Sequence, residues 1–285
     1  MDAYLVLIII LSLIVLSIIM IVNKKKRPPW GFYIALLIYG VVIGYVAGFL
    51  SGAAEGFVEL FFRKYVYYKN GEMYWTSVYP YLIYQFILQF CIVSFYEEMG
   101  KIFVPAIIED NKLQRTKTSL DCILHFMIIA VAFSVSESYL YIKEYDNGLL
   151  RFLITIAGHP LFALVYGIFF VKHRINIKAI SIANRLRYQG FEIDNIKQTF
   201  FRRKYFFIGI LASMLLHATH NFFAPLDEVI LFVMVILRTL LFIILFVFVL
   251  IQNIQIDKKG EELFLKKYPE FTLEQLIELG IIKSV

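Results

Sequence analysis

Tyr79 to Ile108 reads YPYLIYQFILQFCIVSFYEEMGKIFVPAII and is long enough to cross the ~30 Å hydrocarbon core of a membrane as a helix. Two adjacent carboxylates, Glu97 and Glu98, lie inside this apolar run, and Lys101 follows one helical turn later. An ionisable group at membrane depth costs a few kcal/mol, so it is kept where pairing or function requires it. Two carboxylates beside a single cation exceed what a structural ion pair needs, and this excess indicates a functional site.

The whole chain has the composition of a polytopic membrane protein. Of its 285 residues, 60% are hydrophobic and only 18% are charged, and apolar runs of membrane-spanning length recur along it. In a soluble protein the net charge of +6 would suggest a nucleic-acid partner. Here the cations follow the positive-inside rule, so we expect a lipid bilayer and no nucleic acid.

Seven apolar runs predict an all-α bundle of about seven transmembrane helices. The runs are at about 3–22, 31–51, 79–108, 122–142, 149–171, 205–223 and 229–251. Basic residues concentrate in alternate connections, which places the N-terminus outside and the C-terminus in the cytoplasm. The first run lacks a preceding basic segment, so we expect a retained anchor rather than a removed signal peptide.

Two further segments lie on the cytoplasmic side in this topology. The 172–204 connection combines nine cations with spaced isoleucines, which predicts an amphipathic segment on anionic lipid headgroups. Thr272 and Gln275 form a capping-box pattern before an apolar stripe. We therefore expect residues 1–251 to form the transmembrane bundle and residues 252–285 to form a short cytoplasmic tail with one helix.

Polar residues on four predicted spans lie at a similar depth. At 1.5 Å per residue, Glu97, Glu137, His159 and His217 lie roughly 18–24 Å from the cytoplasmic boundary, with Asn221 one turn beyond His217. Packed together, they would enclose carboxylates, imidazoles and an amide in a water-poor cavity. A glutamate there can act as a general base toward water. Two histidines with one or two carboxylates also suit a catalytic Zn²⁺ or another divalent metal, so both chemistries stay open.

Three short motifs appear in order on three separate spans. They are Glu97-Glu98-x-x-Lys101, Phe133-x-x-x-Glu137 and His217-x-x-x-Asn221. In this arrangement they resemble the motifs of the PrsW family of intramembrane proteases, which is related to the type II CAAX prenyl proteases of the ABI/CPBP group. The resemblance covers a protease-like core at about 79–223. The prenyl proteases have a histidine where this chain has Glu137, and His159 on the next span would supply the imidazole.

The resemblance implies a role for each motif residue. Glu97 would activate the water that attacks the peptide carbonyl, while His217 and Asn221 would stabilise the oxyanion. Glu98 and Lys101 would form a supporting ion pair, with Glu98 facing away from the reaction centre.

The remaining candidates would complete the surroundings of the water. Glu137 and His159 would join Glu97 and His217 as ligands if a metal is present. Phe133 would be a supporting residue. Arg238, in the middle of the last span, would be a structural counter-ion, and Glu137 is one candidate partner for it.

The resulting expectation is an intramembrane endopeptidase of the bacterial plasma membrane. Its substrate would be a membrane protein or a lipid-anchored peptide, and the resemblance names anti-sigma-factor-type regulators as one class. A proton- or cation-coupled transporter is an alternative, because buried Glu, His and Arg also carry ions. The absence of inverted repeats in the sequence argues against transport. A catalytically silent membrane scaffold is the third interpretation.

Overall fold

The structure is a computed structural model that describes residues 30–69, 72–110, 118–144, 148–193, 198–223 and 228–282. Its helices are α1 (Trp30–Phe62), α2 (Val78–Phe86), α3 (Ser94–Asp110), α4 (Ser119–Glu144), α5 (Gly148–Tyr188), α6 (Gln198–Phe223), α7 (Glu228–Gln252), α8 (Ile256–Lys267) and α9 (Leu273–Glu278). The first predicted span, at about 3–22, lies outside the described residues. That span and its role as an anchor therefore stay predictions.

A small hairpin connects α1 to α2. A 3₁₀ turn at Arg63–Tyr65 leads into β1 (Val66–Lys69), which pairs antiparallel with β2 (Glu72–Trp75). This hairpin was not predicted, although the sequence has a signal for it. Asn70 and Gly71 separate two runs of aromatic and β-branched residues, and Asn-Gly is a strong hairpin pair.

The described helices confirm an all-α membrane protein. Four continuous helical stretches are long and apolar enough to cross a membrane, at Gly31–Tyr65, Val78–Ile107, Ser119–Leu140 and Phe232–Gln252, the second of which runs from α2 into α3. α5 and α6 cover the predicted spans at 149–171 and 205–223 as continuous helices. They also carry His159 and His217, so each of these two helices has polar side chains within its predicted span.

α4 is the central helix of the bundle. In its apolar span 89% of the residues are buried, compared with 11% for α7 and 22% for α1. The exposed apolar faces of α7 and α1 are suited to contact with lipid. Small residues let the neighbouring helices approach α4 closely. A Cβ added at Gly40 of α1, for example, would lie 2.6 Å from the Ala132 Cβ of α4. This central position brings Phe133 and Glu137 into the interior.

The C-terminal tail forms two helices, α8 and α9, where the sequence predicted one. The predicted capping box is confirmed at the start of α9. Thr272 Oγ1 accepts a hydrogen bond from the Gln275 N–H at 3.2 Å, and Gln275 Oε1 accepts one from the Thr272 N–H at 2.7 Å. The tail also docks on the bundle, because the Ser119 N–H donates to the Ile254 carbonyl and Ser119 Oγ accepts from the Ile254 N–H, both at 2.8 Å.

The tail covers part of the basic 172–204 connection. α5 continues beyond its predicted end, and its residues Ile182 and Leu186 are fully buried in a cluster with Phe264 and Leu276 of the tail. The prediction that the apolar side of this connection rests on lipid headgroups is therefore wrong for Ile182 and Leu186. Their apolar surface is removed from water by α8 and α9 instead.

Candidate active site

A π-helical segment at Ile87–Val93 joins α2 to α3 directly before the carboxylate pair. Ser94 follows this segment, and its N–H makes the last i to i−5 bond, to the Gln89 carbonyl, while its Oγ donates to the same oxygen at 2.6 Å. From Ser94 the chain continues as an α-helix through Glu97 and Glu98. Single π turns inside α-helices are frequent at functional sites, because the extra residue changes which side chains face the interior.

Glu98 lies at the centre of a buried polar network and its side chain is only 1% exposed. Its Oε1 forms an ion pair with Lys101 and lies 2.8 Å from Nδ1 of His217. Ser213 Oγ donates a hydrogen bond to Oε2 at 2.5 Å. The predicted Glu98–Lys101 ion pair is confirmed. The prediction that Glu98 faces away from the reaction centre is wrong, because α6 packs on this face and brings His217 against it.

The imidazole of His217 is held from three sides. A carboxylate only accepts hydrogen bonds, so we infer that Nδ1 carries the proton and donates it to Glu98. Nε2 is then the acceptor, because Asn221 Nδ2 lies 3.1 Å away and donates to it, and Glu97 Oε2 lies 3.5 Å from the same nitrogen. The Phe162 ring stacks on the imidazole with centroids 4.9 Å apart and 17° between the planes.

The two ring nitrogens of His159 have the opposite roles to those of His217, because here Nδ1 accepts and Nε2 donates. Nζ of Lys101 lies 2.8 Å from Nδ1, and since an ammonium group only donates, Nδ1 is the acceptor. The Nε2–H group then donates a hydrogen bond to Glu137 Oε2 at 2.6 Å. The Phe133 ring contacts both cation and imidazole, at 4.5 Å from Nζ of Lys101 and 5.0 Å from the His159 centroid. Phe133 and Glu137 thus both contact His159, and the functional role that the motif order predicts for them stays a prediction.

Glu97, His159 and His217 form a compact group of metal-ligating side chains. One ligand atom from each lies within 4.8 Å of the others, and all three residues are buried. The predicted clustering is confirmed for these three and for Glu137, which is joined to the group through His159. Two imidazoles and one carboxylate are the donor set of many catalytic Zn²⁺ sites. The residue types therefore fit a divalent metal, and to bind it His159 would have to give up its contact with Lys101 at Nδ1 or its proton to Glu137 at Nε2.

The two carboxylates of the pair have different surroundings. The side chain of Glu97 is 9% exposed and that of Glu137 is 13% exposed, whereas Glu98 and Lys101 are 1% and 3% exposed. Glu97 and Glu137 thus lie on the more accessible side of the site. Glu98 and Lys101 are the more deeply buried residues of the site.

Arg238 of α7 borders the site and is buried. A Cβ added at Gly158, next to His159, would lie 2.9 Å from Nη1 of Arg238, so the guanidinium rests against the backbone of α5 there. Its function as a counter-ion to Glu137 stays a prediction.

Ser213, like Phe162, is a residue of the site that the sequence motifs did not include. It is fully buried on α6, one turn before His217 and two turns before Asn221. This i, i+4, i+8 spacing places all three on one face of the helix and is the signal that identifies Ser213.

The chain is similar to a known protein family over most of its length. The model of the PrsW family intramembrane metalloproteases matches residues 28–251, which include every site residue described above. The chain belongs to the PrsW family. Among curated proteins, protease PrsW of Clostridioides difficile (strain 630) is 26% identical over 148 residues, or 49% of this chain and 52% of that protein. The chain thus spans about half the length of this relative. No solved structure matches.

Proposed function

We propose that this chain is an intramembrane endopeptidase that hydrolyses a peptide bond of a membrane protein in a bacterial plasma membrane. The observation that carries the proposal is the buried Glu97, His159 and His217 group, whose ligand atoms lie within 4.8 Å of one another. Single-span regulators of the anti-sigma-factor type are the substrate class that the family resemblance suggests. Family membership and the match to protease PrsW support the reaction type.

The roles follow from what each atom can donate or accept. Glu97 accepts the proton of the attacking water. The Asn221 amide donates to the carbonyl oxygen as negative charge develops on it, an interaction that is effective in a dry and preorganised site. The Nε2 lone pair of His217 is an acceptor or ligand, so the oxyanion role is better assigned to Asn221 than to His217. Glu98, Lys101 and Phe133 hold the two imidazoles in place.

Glu97, His159 and His217 are the residues that would hold a metal. A divalent cation such as Zn²⁺ supplies Lewis acidity toward water and toward the scissile carbonyl when bound. If Glu97 serves as a ligand in this way, Glu137 is the remaining carboxylate on the accessible side that can take the proton. Its hydrogen bond to His159 keeps it beside the group.

The test is cleavage by the purified full-length protein in detergent. The probes are a fluorescently tagged single-span membrane protein with a cytoplasmic regulatory domain and, in parallel, unfolded casein. We expect new fragments whose ends, read by mass spectrometry, lie in or next to the membrane segment. Metal analysis of the same preparation, with and without His159→Ala, shows whether a cation accompanies the activity. Absence of cleavage together with Glu137-dependent ion flux in proteoliposomes would instead establish the transport alternative.

We also propose the full topology of seven spans, with residues 1–251 as the bundle, the N-terminus outside and the tail 252–285 in the cytoplasm. The four apolar helices, the continuous α5 and α6 and the distribution of cations support it. In a variant without native cysteines, we expect an impermeant maleimide to label Lys69→Cys of the hairpin in intact spheroplasts. It should label Lys259→Cys of α8 only after lysis. The reverse pattern contradicts the orientation.

A further inference from the structure

We propose that Ser213 is a positioning residue of the active site and that it acts on His217 through Glu98. The inference rests on the proposed hydrolytic function. Ser213 is fully buried in α6, and its hydroxyl lies 2.5 Å from Glu98 Oε2 and 3.2 Å from the Phe162 carbonyl oxygen. No motif of the sequence and no described role includes this side chain.

The single proton of the Ser213 hydroxyl goes to Glu98. Hydrogen bonds to ionised acceptors are shorter and stronger than those between neutral groups, and the 2.5 Å distance to Oε2 is the shorter of the two. The Phe162 carbonyl, at 3.2 Å, lies on the opposite helix α5. Ser213 thus lies where α3, α5 and α6 meet, and its hydroxyl contacts both neighbouring helices.

The geometry of Glu98 explains why this bond matters. Oε1 receives the Lys101 ammonium and the Nδ1–H of His217, whereas the contact to Oε2 comes from Ser213. With donors on both oxygens the plane of the carboxylate is fixed. Without Ser213 the carboxylate is held through Oε1 alone, so its plane can tilt about the last side-chain bond and weaken the contact to His217.

Rotation of Glu98 would change which ring nitrogen of His217 carries the proton, while Nε2 still faces Glu97. The hydrogen bond at one imidazole nitrogen decides which tautomer the ring adopts. With Glu98 in place, Nδ1 of His217 carries the proton and the Nε2 lone pair points toward Glu97 and Asn221. A weaker Glu98 contact permits the other tautomer, which turns Nε2 into a donor and removes it as a ligand. Such outer partners are typically worth about 10- to 100-fold in metal affinity or activity.

The experiment compares Ser213→Ala, Ser213→Thr and a matched control, Thr219→Ala. Thr219 lies on the same helix, and its hydroxyl bonds to the Leu215 carbonyl at 2.7 Å. For each full-length variant, kcat and KM for cleavage of the tagged single-span protein are measured. The dissociation constant for Zn²⁺ is measured by competition with a chromophoric chelator, without turnover. Thermal unfolding in the presence of EDTA reports the fold.

We expect Ser213→Ala to lower kcat and to weaken Zn²⁺ binding by about 10- to 100-fold each, with KM and the unfolding temperature in EDTA near those of the wild type. Ser213→Thr keeps the hydroxyl and should restore most of both values, and Thr219→Ala should change neither. Wild-type kcat and wild-type Zn²⁺ affinity in Ser213→Ala overturn the inference. A loss that only follows a lower unfolding temperature also overturns it, because the role is then merely structural.

The two proposals fail in different ways. If Ser213→Ala behaves like the wild type while Glu97→Gln is inactive, only the positioning role is wrong. If the wild type binds Zn²⁺ but cleaves nothing, the proposed reaction is wrong, and the ratio of Zn²⁺ affinities still decides the role of Ser213. A wild-type protein that neither cleaves nor binds Zn²⁺ overturns both, because there is then no site to position.

Discussion

Glu97→Gln is expected to abolish detectable cleavage, with a fall in kcat of about 10²–10⁴-fold, which is the usual contribution of general acid–base catalysis. Glutamine has nearly the same shape as glutamate but neither accepts a proton from water nor carries the charge that a metal ligand supplies. The loss is therefore expected in both versions of the mechanism. The measurement is the initial rate of fragment formation from the tagged single-span protein in detergent.

Two controls make this result specific to Glu97. The variant should insert and unfold like the wild type, because removing a buried charge does not leave a cavity. Glu274→Gln on the exposed surface of α9 makes the same chemical change away from the site and should keep full activity. Undiminished cleavage by Glu97→Gln would show that another group activates the water.

Lys101→Met is expected to have the largest effect on stability, a loss of about 3–5 kcal/mol in the free energy of unfolding. Lys101 is 3% exposed and contacts both Glu98 and His159. Its removal leaves the carboxylate of Glu98 buried without its ion-pair partner, and such a charge is costly in a low-dielectric interior. The measurement is equilibrium unfolding in bicelles, by steric trapping or by denaturant.

A second variant distinguishes charge from packing in this experiment. Glu98→Gln combined with Lys101→Met removes both charges and keeps similar volumes, so most of the lost stability should return. The double variant should remain poorly active, because His217 and His159 have lost the groups that orient them. A double variant as unstable as Lys101→Met would show that the lysine acts mainly through its packing against Phe133.

Several features of the site followed from spacing alone. The i, i+3 relation of Glu98 and Lys101 predicts an ion pair on a helix, and the pair is present. The i, i+4 relation of His217 and Asn221 predicts that they share a face, and they are in contact at 3.1 Å. Such predictions succeed because an α-helix has a constant rise and turn per residue. Apolar segments of membrane-spanning length are also reliably helical, because the backbone groups must bond to one another in lipid.

Other features could not be predicted from spacing. Glu98 was expected to face away from the reaction centre, yet it contacts His217, because the approach of α6 decides what lies beside it. The apolar residues Ile182 and Leu186 of the amphipathic segment are predicted to face lipid headgroups, yet α8 and α9 cover them. In both instances the apolar or charged pattern shows that a partner is needed and does not show which element supplies it.

The sequence by itself determined that this is a helical membrane protein, which apolar segments carry its polar residues, and which of those residues share a helix face. Helical periodicity and bilayer thickness are enough for these conclusions. Only the tertiary structure decided the lateral contacts, which are Glu98 against His217 and Ser213, and Lys101 and Glu137 on the two nitrogens of His159. The physical reason is that these contacts join residues on different helices, and close packing of the whole bundle, rather than any local rule, decides which helices become neighbours.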